Sequence, residues 1–439
     1  MKKKITSWTR FKYVNPKVFI PDTIDDLKKV ISESKNILIF GNRRSYSDVC
    51  LNNKVMVSMK NFKKINYFNK KKGIIETQSG ILLKELIPYI VKSKWFIPVS
   101  PGTKYVSLGG MISNNIHGKN IKKNFFYDYI ISIKIMLSNG EIVTCSKQRN
   151  TELFNTTIGG LGLTGVIISV KFRLKKIRSL YLERKNIYFN KTEDLFNVEK
   201  YSKGYEYNVT WLNSFSDPKK ISGIHFISRH CLRKKIPELN YFYKEKKISF
   251  IHKIIFFLIN NYYLYRILNF SFRIYHKYIL GKFVNFEEFF YPQDKYLNWN
   301  QLYKKKNGFV EFHLFIDKKN LIPFLYIFLS FCKVNKIFLN LIFLKKFEKS
   351  KRINFLNNLS DGYGLSLDFS NDKKTKFIKN FFLKNAKKFN YTFYLAKDLF
   401  GDEKILNSKK NYLKFKKDLK KFNKKNKFRS LLSNRYKLT

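Results

Sequence analysis

A chain of 439 residues is too long for one ordinary core and predicts two domains; with 44% hydrophobic residues it can bury sizeable cores, which excludes wholesale disorder. The formal net charge of +56 points towards polyanions, but the lysines are spread along the whole chain among abundant Asn, Ile, Phe and Tyr. Those five residues share A/T-rich codons, so coding bias accounts for the charge, nucleic acid is disfavoured as a partner, and attraction to an anionic membrane surface is a secondary consequence.

Four scattered cysteines, Cys50, Cys145, Cys231 and Cys332, make no CxxC pair. That excludes a familiar zinc or disulfide framework and fits a reducing compartment, with no metal site expected. The basic start has no apolar run behind it and does not read as a signal peptide. The most apolar segment, Ile254 to Tyr265, is about a dozen residues where a membrane span needs roughly 20, so it reads as a buried or interfacial helix. The expected location is cytoplasmic, with a peripheral contact at the inner membrane face.

Taken in order, Pro21 to Lys35 predicts a helix capped by Asp22 or Thr23, with Ile24, Leu27, Val30 and Ile31 on its apolar face. Asn36 to Phe40 is a short buried strand running into Gly41-Asn42-Arg43-Arg44-Ser45-Tyr46-Ser47-Asp48. A strand feeding a turn with a glycine and a hydroxyl suits a pyrophosphate. Strands follow at Val55 to Met59 and Gly73 to Gln78, then a period-3.6 helix at Leu82 to Ser93. Asp128 to Leu137 and Glu141 to Cys145 form a hairpin around Asn139-Gly140, and Thr151 starts a short helix.

Two glycine-rich turns organise this half. One is Pro101-Gly102-Thr103 with Leu108-Gly109-Gly110-Met111-Ile112-Ser113-Asn114-Asn115-Ile116-His117-Gly118-Lys119-Asn120. The other is Ile158-Gly159-Gly160-Leu161-Gly162-Leu163-Thr164-Gly165-Val166-Ile167. Glycine lets the backbone approach a ligand, and successive free N–H groups make concave anion sites, so the pair suggests a cradle for an extended phosphate-bearing cofactor.

From Arg178 to Phe393 the texture shifts to longer strands with large aromatics. Strands are expected at Tyr207 to Leu212, Gly223 to Arg229, Phe309 to Ile316, Phe338 to Phe347 and Gly364 to Phe369, and a helix at Leu321 to Cys332. Lys404 to Lys427 reads as one solvated helix whose apolar face, Leu406, Tyr412, Phe415, Leu419 and Phe422, returns to the first domain.

These strings, in this order, resemble the FAD-binding domain of vanillyl-alcohol-oxidase-type flavoproteins, especially the branch of polyprenylphosphoryl-ribose 2'-oxidases. That branch has a Pro-Gly-Thr, a Gly-Gly, an Ile-His-Gly-Lys-Asn and a Gly-Leu-Thr-Gly-(Val/Ile)-Ile. Ser7-Trp8-Thr9-Arg10 and the Phe289 to Tyr303 block also resemble it, over nearly the whole chain. The resemblance implies an α+β fold with two domains: an FAD-binding domain at 1–177, an antiparallel-sheet substrate domain at 178–393, and a segment at 394–439 returning to the first.

It implies non-covalent FAD held by Gly41, Arg44, Ser45, Tyr46, Ser47, Pro101, Gly102, Thr103, Gly109, Gly110, Asn114, His117, Gly118, Asn120, Gly160, Gly162, Thr164, Gly165 and Ile167. Tyr46 and His117 join Lys397, in Tyr394-Leu395-Ala396-Lys397-Asp398, as catalytic candidates, with Lys397 as base or substrate anchor. A buried lysine has its pKa lowered, which would suit it to take a hydroxyl proton. Trp211, Phe290, His313, Lys345, Ser366 and Lys397 would line the substrate pocket.

The implied reaction is oxidation of the 2'-hydroxyl of a polyprenylphosphoryl-β-D-ribose, with quinone or oxygen as electron acceptor and a short-chain reductase as partner. An alditol or sugar-lactone oxidase is the rival reading, and a basic nucleic-acid-binding or degenerate flavoprotein the non-enzyme one. The chain departs from the pattern at Arg43 and Ser47, where glycines are usual, at Glu311 and His313, where glutamines are, and at Ser366, where prominent members have a cysteine. If positions 43 and 47 need positive φ, each replacement costs on the order of 1 kcal/mol.

Overall fold

The computed structural model describes residues 4–232, 254, 261–279, 282–296, 298–302, 308–337, 339–347, 362–406 and 410–439. Half of the Ile254 to Tyr265 segment (255–260), positions 297 and 303 of the Phe289 to Tyr303 block, the first residue of the Phe338 to Phe347 strand and residues 407–409 lie outside that set.

The first helix forms at Ile24–Glu33 because Thr23 caps it: its side chain accepts the Asp26 N–H while Asp26 accepts the Thr23 N–H. Its apolar face covers a three-stranded parallel sheet of Lys17–Phe19, Val55–Ser58 and Ile37–Phe40. The expected hairpin is Ile130–Met136 with Ile142–Ser146, and it belongs to a five-stranded antiparallel sheet with Val166–Arg173, Ile74–Gln78 and Ile65–Asn69. The strand at Ile65–Asn69 was not read from the sequence; its polar Asn66 and Tyr67 hide the alternation.

An eight-stranded antiparallel sheet follows, in the order Phe283–Asn285, Tyr181–Phe189, Gly223–His230, Tyr207–Leu212, Leu341–Phe347, Gly362–Ser370, Phe309–Asp317, Thr392–Phe393. Period-2 alternation decides its two faces. Val310, Phe312, Leu314 and Ile316, with Leu365, Leu367 and Phe369, join a core covered by helices Lys318–Val334 and Thr375–Asn385. The opposite parity, Glu311, Ser366, Asp368, Phe343 and Lys345, faces a cavity shared with the first half. The mixture of helices and antiparallel sheets is the expected α+β class.

The lysine-rich segment is not one helix. A helix at Lys410–Phe422 is followed by a 3-10 turn at Lys424–Asn426 with Lys425 at φ 57°, and a last helix at Leu431–Arg435. The break lets Phe428 bridge beside Ile37, and the Leu431 N–H reach the Leu51 carbonyl at 2.8 Å. Among the described residues no helix is long and apolar enough to cross a membrane.

Candidate active site

A cavity of about 550 Å³ runs between the glycine turns and the cavity-facing side of the large sheet. One wall is the loop after Ile37–Phe40. There Gly41 passes so close to helix Leu108–Ser113 that an added Cβ would lie 1.9 Å from Ser107 Oγ. Ser107 is that helix's N-cap and accepts the Gly110 N–H at 3.3 Å, so the approach places Gly109 and Gly110 on the cavity wall. Of the expected cofactor residues, Gly41, Arg44, Ser45, Tyr46, Pro101, Gly102, Thr103, Gly109, Gly110, Asn114, His117, Gly162, Gly165 and Ile167 line the cavity.

Ser47, Gly118, Asn120, Gly160 and Thr164 do not line it; they shape its walls from behind. Asn120 donates to the Pro98 carbonyl at 2.8 Å, and Thr164 pairs with Thr157 at 3.0 Å. Gly160 passes Thr156 so closely that a Cβ would meet its carbonyl at 2.1 Å, and Gly118 faces the Asn120 amide in the same way. The departures at 43 and 47 separate. Arg43 does sit at φ 49°. Ser47 is at φ −80°, so the anticipated strain is absent. Its buried hydroxyl donates to the Leu395 carbonyl at 2.7 Å, and the N–H groups of Tyr46 and Ser47 both reach the Ala396 carbonyl. This lacing brings residues 46 and 397 together: Lys397 Nζ lies 4.9 Å above the Tyr46 ring.

Beyond the cradle, Phe290, Lys345, Ser366 and Lys397 also line the cavity. Trp211 lies in an apolar cluster behind it, packed on Phe272 at 4.9 Å. His313 stands one layer back, its Nδ1 2.6 Å from Ser366 Oγ and 3.4 Å from Glu311. Both contacts use one nitrogen, so this is no Ser-His-Glu nucleophile relay, in which the two ring nitrogens take different partners.

Asp368, Lys119 and Asp294 were not read as site residues, and Arg43 and Glu311 entered only as departures from the pattern. Lys397 is not an isolated buried amine, because Glu311 Oε1 holds its Nζ at 2.5 Å. Burial works against the Glu311 charge, but the Lys397 ammonium and His313 outweigh it and hold the carboxyl at about 2. Asp368 is the cross-strand neighbour of Glu311, and burial together with that carboxylate pushes it far above the usual range, so it stays protonated. Burial and Lys397 lower Lys345 to about 8, while burial and Lys345 lower Lys119 to about 7. His117 is driven well below its usual value by burial, then by Lys345, His313 and Lys397, so it is neutral. Asp294 accepts the Lys104 N–H at 2.7 Å and, buried, is raised to about 6; Arg44 is sandwiched between Trp8 and Tyr105.

Several buried polar atoms are orphaned here: Asn114 Oδ1, both side-chain polar atoms of Asn115, and both ring nitrogens of His117. Orphans cost about 1–3 kcal/mol each, so a cluster beside a glycine cradle marks a place for a polar ligand. Among the described residues no cluster suited to a metal ion exists.

Residues 16–146, which hold the first glycine turn but end before the second, match the FAD binding domain family: FAD is the cofactor. The chain is similar to decaprenylphosphoryl-beta-D-ribose oxidase of Mycolicibacterium smegmatis, 26% identical over 205 residues, covering 46% of this chain and 44% of that protein. It is similar to L-gulonolactone oxidase of Bos taurus, 24% identical over 209 residues, covering 46% and 47%. D-arabinono-1,4-lactone oxidase of Debaryomyces hansenii is 24% identical over 185 residues, covering 38% and 33%. The matches thus span less than half the length of each of these relatives.

Proposed function

We propose that the chain is an FAD-dependent oxidoreductase acting on a CH–OH group, and that it oxidises the 2'-hydroxyl of a polyprenylphosphoryl-β-D-ribose to the 2'-keto sugar. In this reading residues 1–177 hold the cofactor, 178–393 the substrate, and 394–439 close the first unit. Bound FAD supplies the hydride acceptor. The protein's part is to place a carbinol between the cradle and the Lys397, Glu311, Asp368 and Lys345 end of the cavity, to exclude water, and to take the hydroxyl proton. Lys397, paired with Glu311, acts as anchor for a sugar oxygen or phosphate, and the protonated Asp368 donates to a sugar hydroxyl. Neutral His117 orients the flavin without a covalent bond.

The observation carrying this reading is the continuity of the cavity. The same cavity is also lined by Val209, Phe226, Phe272, Leu341 and Phe343, with Arg184, His276 and Glu288 beside them, a largely apolar lining that suits a hydrocarbon chain joined to a polar, phosphate-bearing sugar. A short-chain reductase would complete the epimerisation to the arabinose form, and quinone or oxygen would reoxidise the flavin. The location proposed is cytoplasmic, against the inner membrane face. The rival, a sugar-lactone or alditol oxidase, is favoured by the similar identity to L-gulonolactone oxidase. Anaerobic titration of the flavin spectrum separates them. Bleaching by polyprenylphosphoryl-ribose, but not by xylitol or gulonolactone, is expected; bleaching only by the soluble compounds would move the chain to the rival class.

A further inference from the structure

The cavity's polar end holds several groups that could accept a proton, and its geometry sorts them. Glu311 is engaged by Lys397 at 2.5 Å and by His313 at 3.4 Å. Lys397 is the other half of that ion pair, its Nζ engaged by Glu311 rather than free to meet a substrate hydroxyl. Asp368 is the cross-strand partner of an anionic Glu311 and already holds a proton. His117 has two unpartnered nitrogens, but burial among Lys345, Lys397 and His313 makes it a weak base. Lys119 donates to the Phe289 carbonyl and lies over its ring at 4.6 Å.

Lys345 remains. It extends from strand Leu341–Phe347 into the cavity, opposite Gly364 in the register, and no hydrogen bond or ion pair is formed by its Nζ among the described residues. The charged and titratable groups around it are Lys397, Glu311, Lys119, His117 and His313. We infer that Lys345 is the proton acceptor of the reaction, and that Glu311, by engaging Lys397, is the positioning residue that assigns the role to it. This deepens, and rests on, the oxidoreductase reading. In the step the substrate O–H breaks and its proton joins the Lys345 amine. The carbinol C–H leaves with its electron pair to the FAD, and a C=O bond forms. An amine accepts that proton only when neutral, and burial, then the Lys397 charge, lower Lys345 to about 8 against the opposing pull of Glu311, within reach of neutral pH.

Two readouts decide it. In the first, purified FAD-loaded protein is acetylated briefly with acetic anhydride across pH, and each lysine is followed by peptide mass spectrometry. Lys345 is expected to label with a midpoint near 8, about two units below a surface lysine, and E311Q to lower that midpoint further by removing the carboxylate that supports the ammonium. Labelling of Lys345 in step with surface lysines, or an upward shift in E311Q, overturns the inference. In the second, stopped-flow bleaching of the flavin by substrate is compared in K345M, K345R and the parent, each checked for its flavin spectrum. Both variants are expected to lose roughly 100-fold or more in the reductive rate, with the rise in rate through about pH 8 abolished. A K345M rate equal to the parent's overturns the inference. If no lipid sugar bleaches the parent, the substrate reading fails instead, and the acetylation profile still decides the state of Lys345.

Discussion

Arg435 is the residue whose loss would test how the C-terminal segment holds the site. Its Nη1 donates to Asp398 Oδ2 at 2.7 Å, and its Nη2 donates to Asp48 Oδ1 at 2.9 Å and to the Asp398 carbonyl at 2.9 Å. Both carboxylates are only 1% exposed. Asp48 follows Ser47, and Asp398 follows Lys397, so one guanidinium ties together the two loops that meet at Tyr46 and Lys397. Arg435→Met leaves two buried carboxylates short of a partner, a defect that costs about 3–5 kcal/mol in a buried pair.

Residual partners soften it. Asp48 keeps Lys12 at 2.8 Å, and Asp398 keeps the Tyr436 hydroxyl at 2.8 Å and the Phe400 and Gly401 N–H groups. The lower end, about 3 kcal/mol, is therefore expected. Urea unfolding followed by circular dichroism measures the loss, and flavin fluorescence measures cofactor release in the same titration. Release should come at lower urea in R435M, and R435K should recover only part, since one ammonium cannot fork between two carboxylates. A loss under about 1 kcal/mol, the size of an exposed ion pair, would refute the argument.

Restoring glycine at the two departures should have opposite effects. R43G relieves a side chain held at φ 49°, worth about 1 kcal/mol before the entropy of glycine is subtracted, yet removes a cation from the cavity wall. FAD should bind more weakly, by equilibrium titration, while the apoprotein is no less stable. S47G has no strain to relieve and loses the 2.7 Å donor to Leu395, so melting should show a loss of about 1–3 kcal/mol. Asp294 is raised to about 6, so the folded state holds more protons than the unfolded one between about pH 4 and 6, and its contribution falls as pH rises through that window. D294N should flatten this slope relative to the parent, by up to about 3 kcal/mol across the window; parallel stability curves would show that Asp294 does not titrate there.

Much of the cradle was legible because glycine strings and N-caps are local: Thr23, the Asn139-Gly140 turn and the Gly109-Gly110 pair each act within a few residues. The same locality limits the reading. Gly118, Gly160 and Thr164 look like ligand residues in the string, but they are spaced by close packing against Asn120, Thr156 and Thr157. Ser47 looked like a strained replacement, because its partner, the Leu395 carbonyl, is 348 residues away in sequence. The kink at Lys425 falls in a lysine-rich run just past Phe422, the last residue of the apolar face, where no local signal marks the helix end, so the one helix was drawn through it.

The charge state of the polar end was the least legible feature, because it depends on register. Glu311 and His313 share one face of their strand, and Ser366 and Asp368 share the facing positions of the next, with Glu311 opposite Asp368 and His313 opposite Ser366. Read singly, an acid and a histidine in place of two amides suggest altered substrate recognition. Read as a cross-strand square, they place a carboxylate beside Lys397 and a second carboxyl beside that carboxylate. Two such neighbours cannot both ionise without a cation, so one stays protonated while the other takes the lysine. A neutral amide at 311 would leave Lys397 without this counter-ion and Asp368 without the like-charged neighbour that raises it. The substitution therefore acts on three groups at once: it engages Lys397, raises Asp368 and lends some support to the Lys345 ammonium, and it leaves Lys345, whose strand contributes no acid of its own, as the cavity amine without a bonded partner among the described residues.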